Sequence, residues 1–262
     1  MDLLQLIAPY AEIGLERISI FAGVFTRISA FVFFLPGLSE QTVSMRVRLA
    51  AALAIALVLT PIVLDAAPHA PQSAIEATLA FAAEALAGAV IGFSIRVAIF
   101  AIQIAGSIAA QSLSLSQLFG TSLNSQPEPP IGTLFMFAGI AVAVSAGLHF
   151  KAVSALALSY EIMPFGVFPG ASETGEWAAA RTAFAFSAGL TLAMPFVVLG
   201  FVYYLAIGAA NRAMPQLMVA FVGAPAITLG GLALLALATP VMLSGWLNMV
   251  DAIIAQLAGV AL

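Results

Sequence analysis

The chain contains no cysteine, which excludes disulfides and thiolate-held metals and leaves the redox compartment unread. Charge is almost as scarce. Only 8% of the 262 residues are Asp, Glu, Lys or Arg, where an ordinary soluble domain carries about 25%. A chain of this length could build a soluble core, but it has too few charges to cover one. There are two histidines, His69 in a proline-rich loop and His149 at the end of an apolar run, and no H-E-x-x-H or other metal spacing. No G-x-x-x-x-G-K loop is present to cradle a phosphate, and Ser154 near His149 has no third group to orient it. Enzyme chemistry, cofactors and metals are therefore not expected. The net charge is −4, with neither a basic run for nucleic acid nor a polybasic cluster for anionic lipid. Asp2, Glu12 and Glu16 stand where a cleaved signal peptide would be positive, so the N-terminus reads as mature chain.

What is present is apolar surface: 63% of residues are hydrophobic and the mean hydropathy is +1.12. Such a chain belongs in a membrane or in a membrane-bound assembly. A span needs about 20 apolar residues. Six candidates occur, at about 18–35, 49–64, 77–104, 131–150, 182–207 and 226–247. The second is short, the third is interrupted by Glu84 and Arg96, and the fifth carries Pro195 as a kink. Residues 152–168 are apolar but broken at Pro164-Phe165-Gly166, a short helix rather than a span, and Glu173 and Glu176 mark an exposed loop. The expected fold is all-α and membrane-associated, with about six long apolar helices, kinked and broken, arranged as hairpins. Arg46, Arg48 and Arg212 fall in connections on one side, and Lys151 and Arg181 on the other, where acidic residues crowd. Six crossings would then place both termini outside the cytoplasm.

Charges inside the spans come next, since each costs about 2.5–3.5 kcal/mol at a membrane helix centre. Arg27 sits among Phe21, Phe25, Phe31, Phe33 and Phe34 and cannot readily reach an interface. It calls either for an acidic partner or for contact with cargo or ions. Glu84 and Arg96 are about 18 Å apart along one helix and cannot pair with each other. All three are expected to be buried or to serve assembly. Gly88 and Gly92 form a G-x-x-x-G that allows two helices to approach closely. Arg46 and Arg48, about 200° apart on a helix, are unlike a pair gripping one carboxylate; one would anchor the hairpin and the other meet a partner.

One stretch fits neither lipid nor bulk water. Between Arg96 and Glu128 no residue is charged, yet serines and glutamines abound from Gly106 to Pro130, with Leu113, Leu115, Leu118 and Phe119 threaded among them. That mixture suits the lining or plug of a conduit, or alternatively a Ser/Gln connector. As a plug, the four apolar side chains would exclude water, and Gly106 and Gly120 would serve as hinges.

Several motifs resemble a known family. They are Arg27 with Leu35-Pro36 and Arg46-Val47-Arg48-Leu49-Ala50, then Gly147-Leu148-His149, then Ser159-Tyr160 with Met163-Pro164. The most specific is Asn211-Arg212-Ala213-Met214-Pro215-Gln216-Leu217 leading to Gly223-Ala224-Pro225. In this order they resemble the FliR family of flagellar export-gate proteins and its injectisome counterparts, over nearly the whole chain. Met218 and Ala220 stand where the family usually has Asn and Phe. The resemblance implies a single export-gate domain over 1–262, with a pore loop at about 106–130 and the family motif at about 211–225. It implies one copy in a helical ring with FliP-like and FliQ-like subunits, in the bacterial inner membrane beside other export-apparatus components, passing unfolded protein cargo. Arg46, Arg48, Arg212, Pro215, Gln216, Leu217 and Phe221 would then contact partners. Two other classes remain open at this point: a small-solute transporter using Arg27, Glu84, Arg96 and Pro195, and a scaffold that only nucleates the ring.

Overall fold

The structure is a computed structural model that describes residues 3–64, 71, 73–113, 130–214 and 219–257. Among these residues the regular structure is entirely helical: α1 Leu3–Phe34, α2 Met45–Leu64, α3 Ala74–Ser112, α4 Pro130–Ser145, α5 Leu148–Ile162, α6 Ala171–Ala213 and α7 Val219–Leu257. Among the described residues five helices are long and apolar enough to cross a membrane, or six if α4 and α5 together count as one span. The all-α expectation holds, and several boundaries move.

The helices end where backbone chemistry requires. α1 stops before Pro36-Gly37, and Gly37 takes φ 88°, the left-handed conformation that a side chain resists. The expected fourth span is cut short: α4 ends at Ser145, and Gly147, with φ 80°, precedes the separate helix α5. α5 likewise stops at Ile162, two residues before Pro164, but other prolines are accommodated. Pro61, Pro195, Pro225 and Pro240 all lie inside helices. Each lacks an N–H and leaves a carbonyl one turn back without its usual donor, which apolar membrane helices tolerate when neighbours compensate. Pro225 lies inside α7, which starts at Val219, ahead of the expected start of the sixth span at about 226. Glu173 and Glu176 also lie not in a loop but in the first two turns of α6, where the N-terminal partial positive charge favours them.

The residues cluster into two compact units. The first comprises Met1–Arg96, Gly147–Ala180 and Asp251–Leu262, the second Val97–Ala146 and Arg181–Val250. In the first, α1 packs on α2, and α2 on α5. Its core is built from helical stripes: Val24, Ile28 and Phe31 of α1, and Ala83, Ala87, Ile91 and Ile95 of α3. Gly88 and Gly92 lie on α3 against the backbone of α1. A Cβ on Gly88 would meet the Arg27 carbonyl, and one on Gly92 would lie 2.8 Å from that of Phe31. The G-x-x-x-G spacing thus does permit backbone contact.

The second unit is organised on the C-terminal half of α3, where Ala98, Ile102, Ala105 and Ala109 are buried. Trp246 of α7 is wholly buried there and donates its indole N–H to the Ala98 carbonyl at 2.6 Å. Burial differs sharply between the long helices. The apolar stretch of α3 is 61% buried within the chain, whereas those of α6 and α7 are each 17% buried. Phe186, Leu190, Val198, Phe201 and Leu205 of α6 leave an apolar face uncovered.

Candidate functional site

The first unit holds a buried charge network whose parts come from α1, α3 and α5. α1 places Arg27 inward one turn from Val24 and Phe31, and α3 brings Glu84 opposite it beside Ala83 and Ala87; both charged residues are fully buried. The pair is bidentate. Arg27 Nε donates to Glu84 Oε2 at 2.8 Å and Nη2 to Oε1 at 2.9 Å. Nη2 also donates to the Met163 carbonyl at 2.9 Å, and Nη1 to Ser159 Oγ at 3.2 Å. The Tyr160 ring lies under the guanidinium, 3.7 Å from its carbon, and its hydroxyl donates to Glu84 Oε2 at 3.3 Å. Glu84 Oε1 accepts a further bond, at 2.9 Å, from the N–H of Gly166, whose φ of 73° turns the chain after α5.

This geometry decides what the network can do. Two charges taken out of water are tolerable only when geometry and extra hydrogen bonds satisfy their remaining donors and lone pairs. Here a neutral, closed cluster fixes the turn after α5 to α1 and α3. Neither Arg27 nor Glu84 is left free to hold a solute or cargo. The motif Ser159-Tyr160 with Met163-Pro164 supplies most of the cradle, so those residues share a spatial task that spacing alone did not reveal.

A second cluster holds the connection between α1 and α2. Arg96 of α3, partly buried, donates through Nη1 to Glu40 Oε1 at 2.5 Å and to Ser39 Oγ at 2.9 Å. Arg48 of α2 donates through Nη2 to the backbone carbonyls of Ser39 and Glu40, at 3.2 and 2.6 Å. Its Nε is buried without a hydrogen-bond partner among the described residues. Arg48 thus ties down the hairpin turn of its own chain, whereas Arg46, two residues earlier, is exposed. Glu40 escaped the sequence analysis. The available signal was that it is the single acidic residue between Glu16 and Asp65, with four arginines in that interval needing partners or an interface.

The charge-free stretch begins differently from the expectation. Residues 106–112 continue α3, and Gly106 is a point of helix contact, not a hinge. A Cβ at Gly106 would lie 2.7 Å from Phe135 and 3.0 Å from the Gly132 backbone, so α3 and α4 meet there. The end of α3 is gripped by small residues. Gly200 of α6 stands against the Ser112 carbonyl, and Gly231 of α7 against the Leu113 side chain, which is fully buried. Leu113 therefore fills a helix contact within the second unit and lines no open space. Leu115, Leu118, Phe119 and Gly120 lie outside the described residues, as do Pro215, Gln216 and Leu217 and the side chain of Phe221. Arg212 is exposed in the last turn of α6, where a cation suits the helix dipole.

Residues 18–253 match the sequence model of the family described as bacterial export proteins, family 1. The chain belongs to this family. Among its relatives is the flagellar biosynthetic protein FliR of Caulobacter vibrioides, 32% identical over 224 residues, covering 84% of this chain and 88% of the relative. FliR of Escherichia coli K12 is 26% identical over 235 residues, covering 88% of each. The resemblance drawn from the motifs is thus shown by the match over nearly the full length. In this bacterial export protein the Arg27 network, the 39–48 turn and the clamp around Leu113 all fall within the matched region.

Proposed function

We propose that the chain is a non-enzymatic subunit of the flagellar type III export gate in the bacterial inner membrane. There it completes a helical ring with FliP-like and FliQ-like subunits and passes unfolded cargo. One observation carries this reading: the export-family match extends over a chain in which two of the three longest helices, α6 and α7, leave most of their apolar surface uncovered. Apolar faces of that extent mark contact with lipid or with neighbouring protein. The solute-transporter alternative loses its support, since Arg27 and Glu84 satisfy each other and Arg96 is bound to Glu40 and Ser39.

The stretch after Leu113 is the resting seal. Val97 to Pro127 carries no charge, and its helical start is clamped by Gly132, Gly200 and Gly231, so the following residues leave from a fixed point. Leu115, Leu118 and Phe119 close the throat by excluding water, and the intervening hydroxyls and amides satisfy backbone without adding charge. Exposed Arg46 and Arg212, with the Pro215–Leu217 segment and Phe221, face partner subunits. The test is to isolate the tagged chain from its own membranes. Two small hydrophobic proteins should accompany it in a fixed ratio, and Leu118→Ser with Phe119→Ser should raise ion conductance without changing that ratio. A chain that purifies alone refutes the ring, and a tight or unassembled double variant refutes the seal.

A further inference from the structure

Residues Ile162 to Trp177, with the end of α7, form a groove of about 350 Å³ in the first unit. Ile162, Pro164, Val167, Phe168 and Trp177 line it, together with one carboxylate, Glu173. Ile162, Val167 and Phe168 are exposed despite being large and apolar. The backbone from Met163 to Gly170 is not helical. Irregular backbone does not stand against lipid tails, because its N–H and C=O groups would go unsatisfied there. The groove therefore faces water or protein, and an apolar groove open to water is a contact surface in waiting.

Charge identifies what fits it. From Ala152 to Ala180 the chain carries three carboxylates, Glu161, Glu173 and Glu176, and no lysine or arginine. All three are exposed, and none forms an ion pair among the described residues. Glu173 folds back over Gly170 at the start of α6, its Oε2 3.1 Å from where a Cβ on Gly170 would stand, so its charge is held at the groove wall. A second copy of this face would bring the same carboxylates into repulsion, and anionic lipid headgroups would be repelled likewise. We propose that the groove receives an aliphatic segment of another protein that carries a lysine or arginine, with its cation against Glu173 and its apolar side chains against Val167, Phe168 and Trp177. The inference rests on the subunit reading above, which supplies a neighbouring protein, and adds the chemistry of what docks here.

The test places a photo-reactive benzoylphenylalanine at Val167 in the full chain within its assembled complex in cells, and sequences the cross-linked peptide. The expected product is a peptide of a different protein with aliphatic residues and a Lys or Arg within about one helical turn of the cross-linked position. Glu173→Lys should lower the yield at least about fivefold, the loss expected when a charge contact worth about 1 kcal/mol is removed, and changing the partner's basic residue to Glu should restore it. A lipid adduct, a second copy of this chain, a peptide without a basic residue, no product, or a yield unchanged by Glu173→Lys each overturns the proposal. Co-purification is measured on the same samples. An intact complex without the cross-link overturns the groove alone, whereas loss of all partners from the unsubstituted chain overturns the subunit reading.

Discussion

Replacing Arg27 by Met tests the buried network directly. In the intact protein Glu84 accepts four hydrogen bonds, two from Arg27 and one each from Gly166 and Tyr160. Arg27→Met leaves the carboxylate with the last two and no counter-charge, in a place with no solvent exposure. Removing one member of a buried pair costs about 3–5 kcal/mol, because the survivor remains charged and desolvated. Glu84→Leu should cost a similar amount by stranding the guanidinium. The double variant Arg27→Met with Glu84→Leu removes both charges and should regain a large part of the loss. Recovery should be incomplete, since the Met163 carbonyl and the Gly166 N–H each lose a partner, at about 1–3 kcal/mol for a buried polar group. Equilibrium unfolding of the purified complex in mixed detergent and denaturant, followed through Trp177 and Trp246, gives the four stabilities of the cycle. Single substitutions costing under about 1 kcal/mol, or a double variant whose loss equals the sum of the singles, would falsify the assignment of this pair as the pin between α1, α3 and the α5 turn.

Two further outcomes follow from the packing and the surface charge. Gly88→Ala forces a methyl into the Arg27 carbonyl and should destabilise by about 1–3 kcal/mol in the same unfolding assay. Gly208→Ala, with nothing within 4 Å and a helical position to gain from, should be neutral or stabilising, and equal effects at the two glycines would refute the close approach of α1 and α3. Lys151 and Asp251 are joined at 2.7 Å but are 41% and 44% exposed, so Lys151→Ala should cost under about 1 kcal/mol; a larger loss would mean that the pair is shielded from solvent.

The sequence by itself determined the class of protein and the places where charge had to be resolved. Too few charges for a soluble surface, no thiols and long apolar runs leave a helical membrane protein, because in lipid a helix satisfies its own backbone. The ordered motifs carried the family, and Gly88 and Gly92 announced a helix contact through spacing, which is local information. Arg27 was recognisable as needing a partner from its neighbours in the chain. Its partner was not, since Glu84 lies 57 positions away and only the packing of α1 on α3 brings the two together. The same holds for Arg96 with Glu40, 56 positions apart, and for Ser159, Tyr160 and Met163 around the guanidinium. Composition also misjudged residues 106–112. Serine, glutamine and glycine suggested a loop, but contacts with α4 and α6 outweigh weak local preference, and the helix continues until Leu113 is seated against Gly231. Glu173 and Glu176 were read as an exposed loop, and the sixth span was started only after Pro225, for the same reason. Acidic residues are equally at home in an exposed loop or a first helical turn, and a proline tolerates a helix when its surroundings supply what its missing N–H cannot. Chemistry along the chain set what had to be buried and paired; only tertiary contact, which joins residues too distant for any periodicity to link, decided with what.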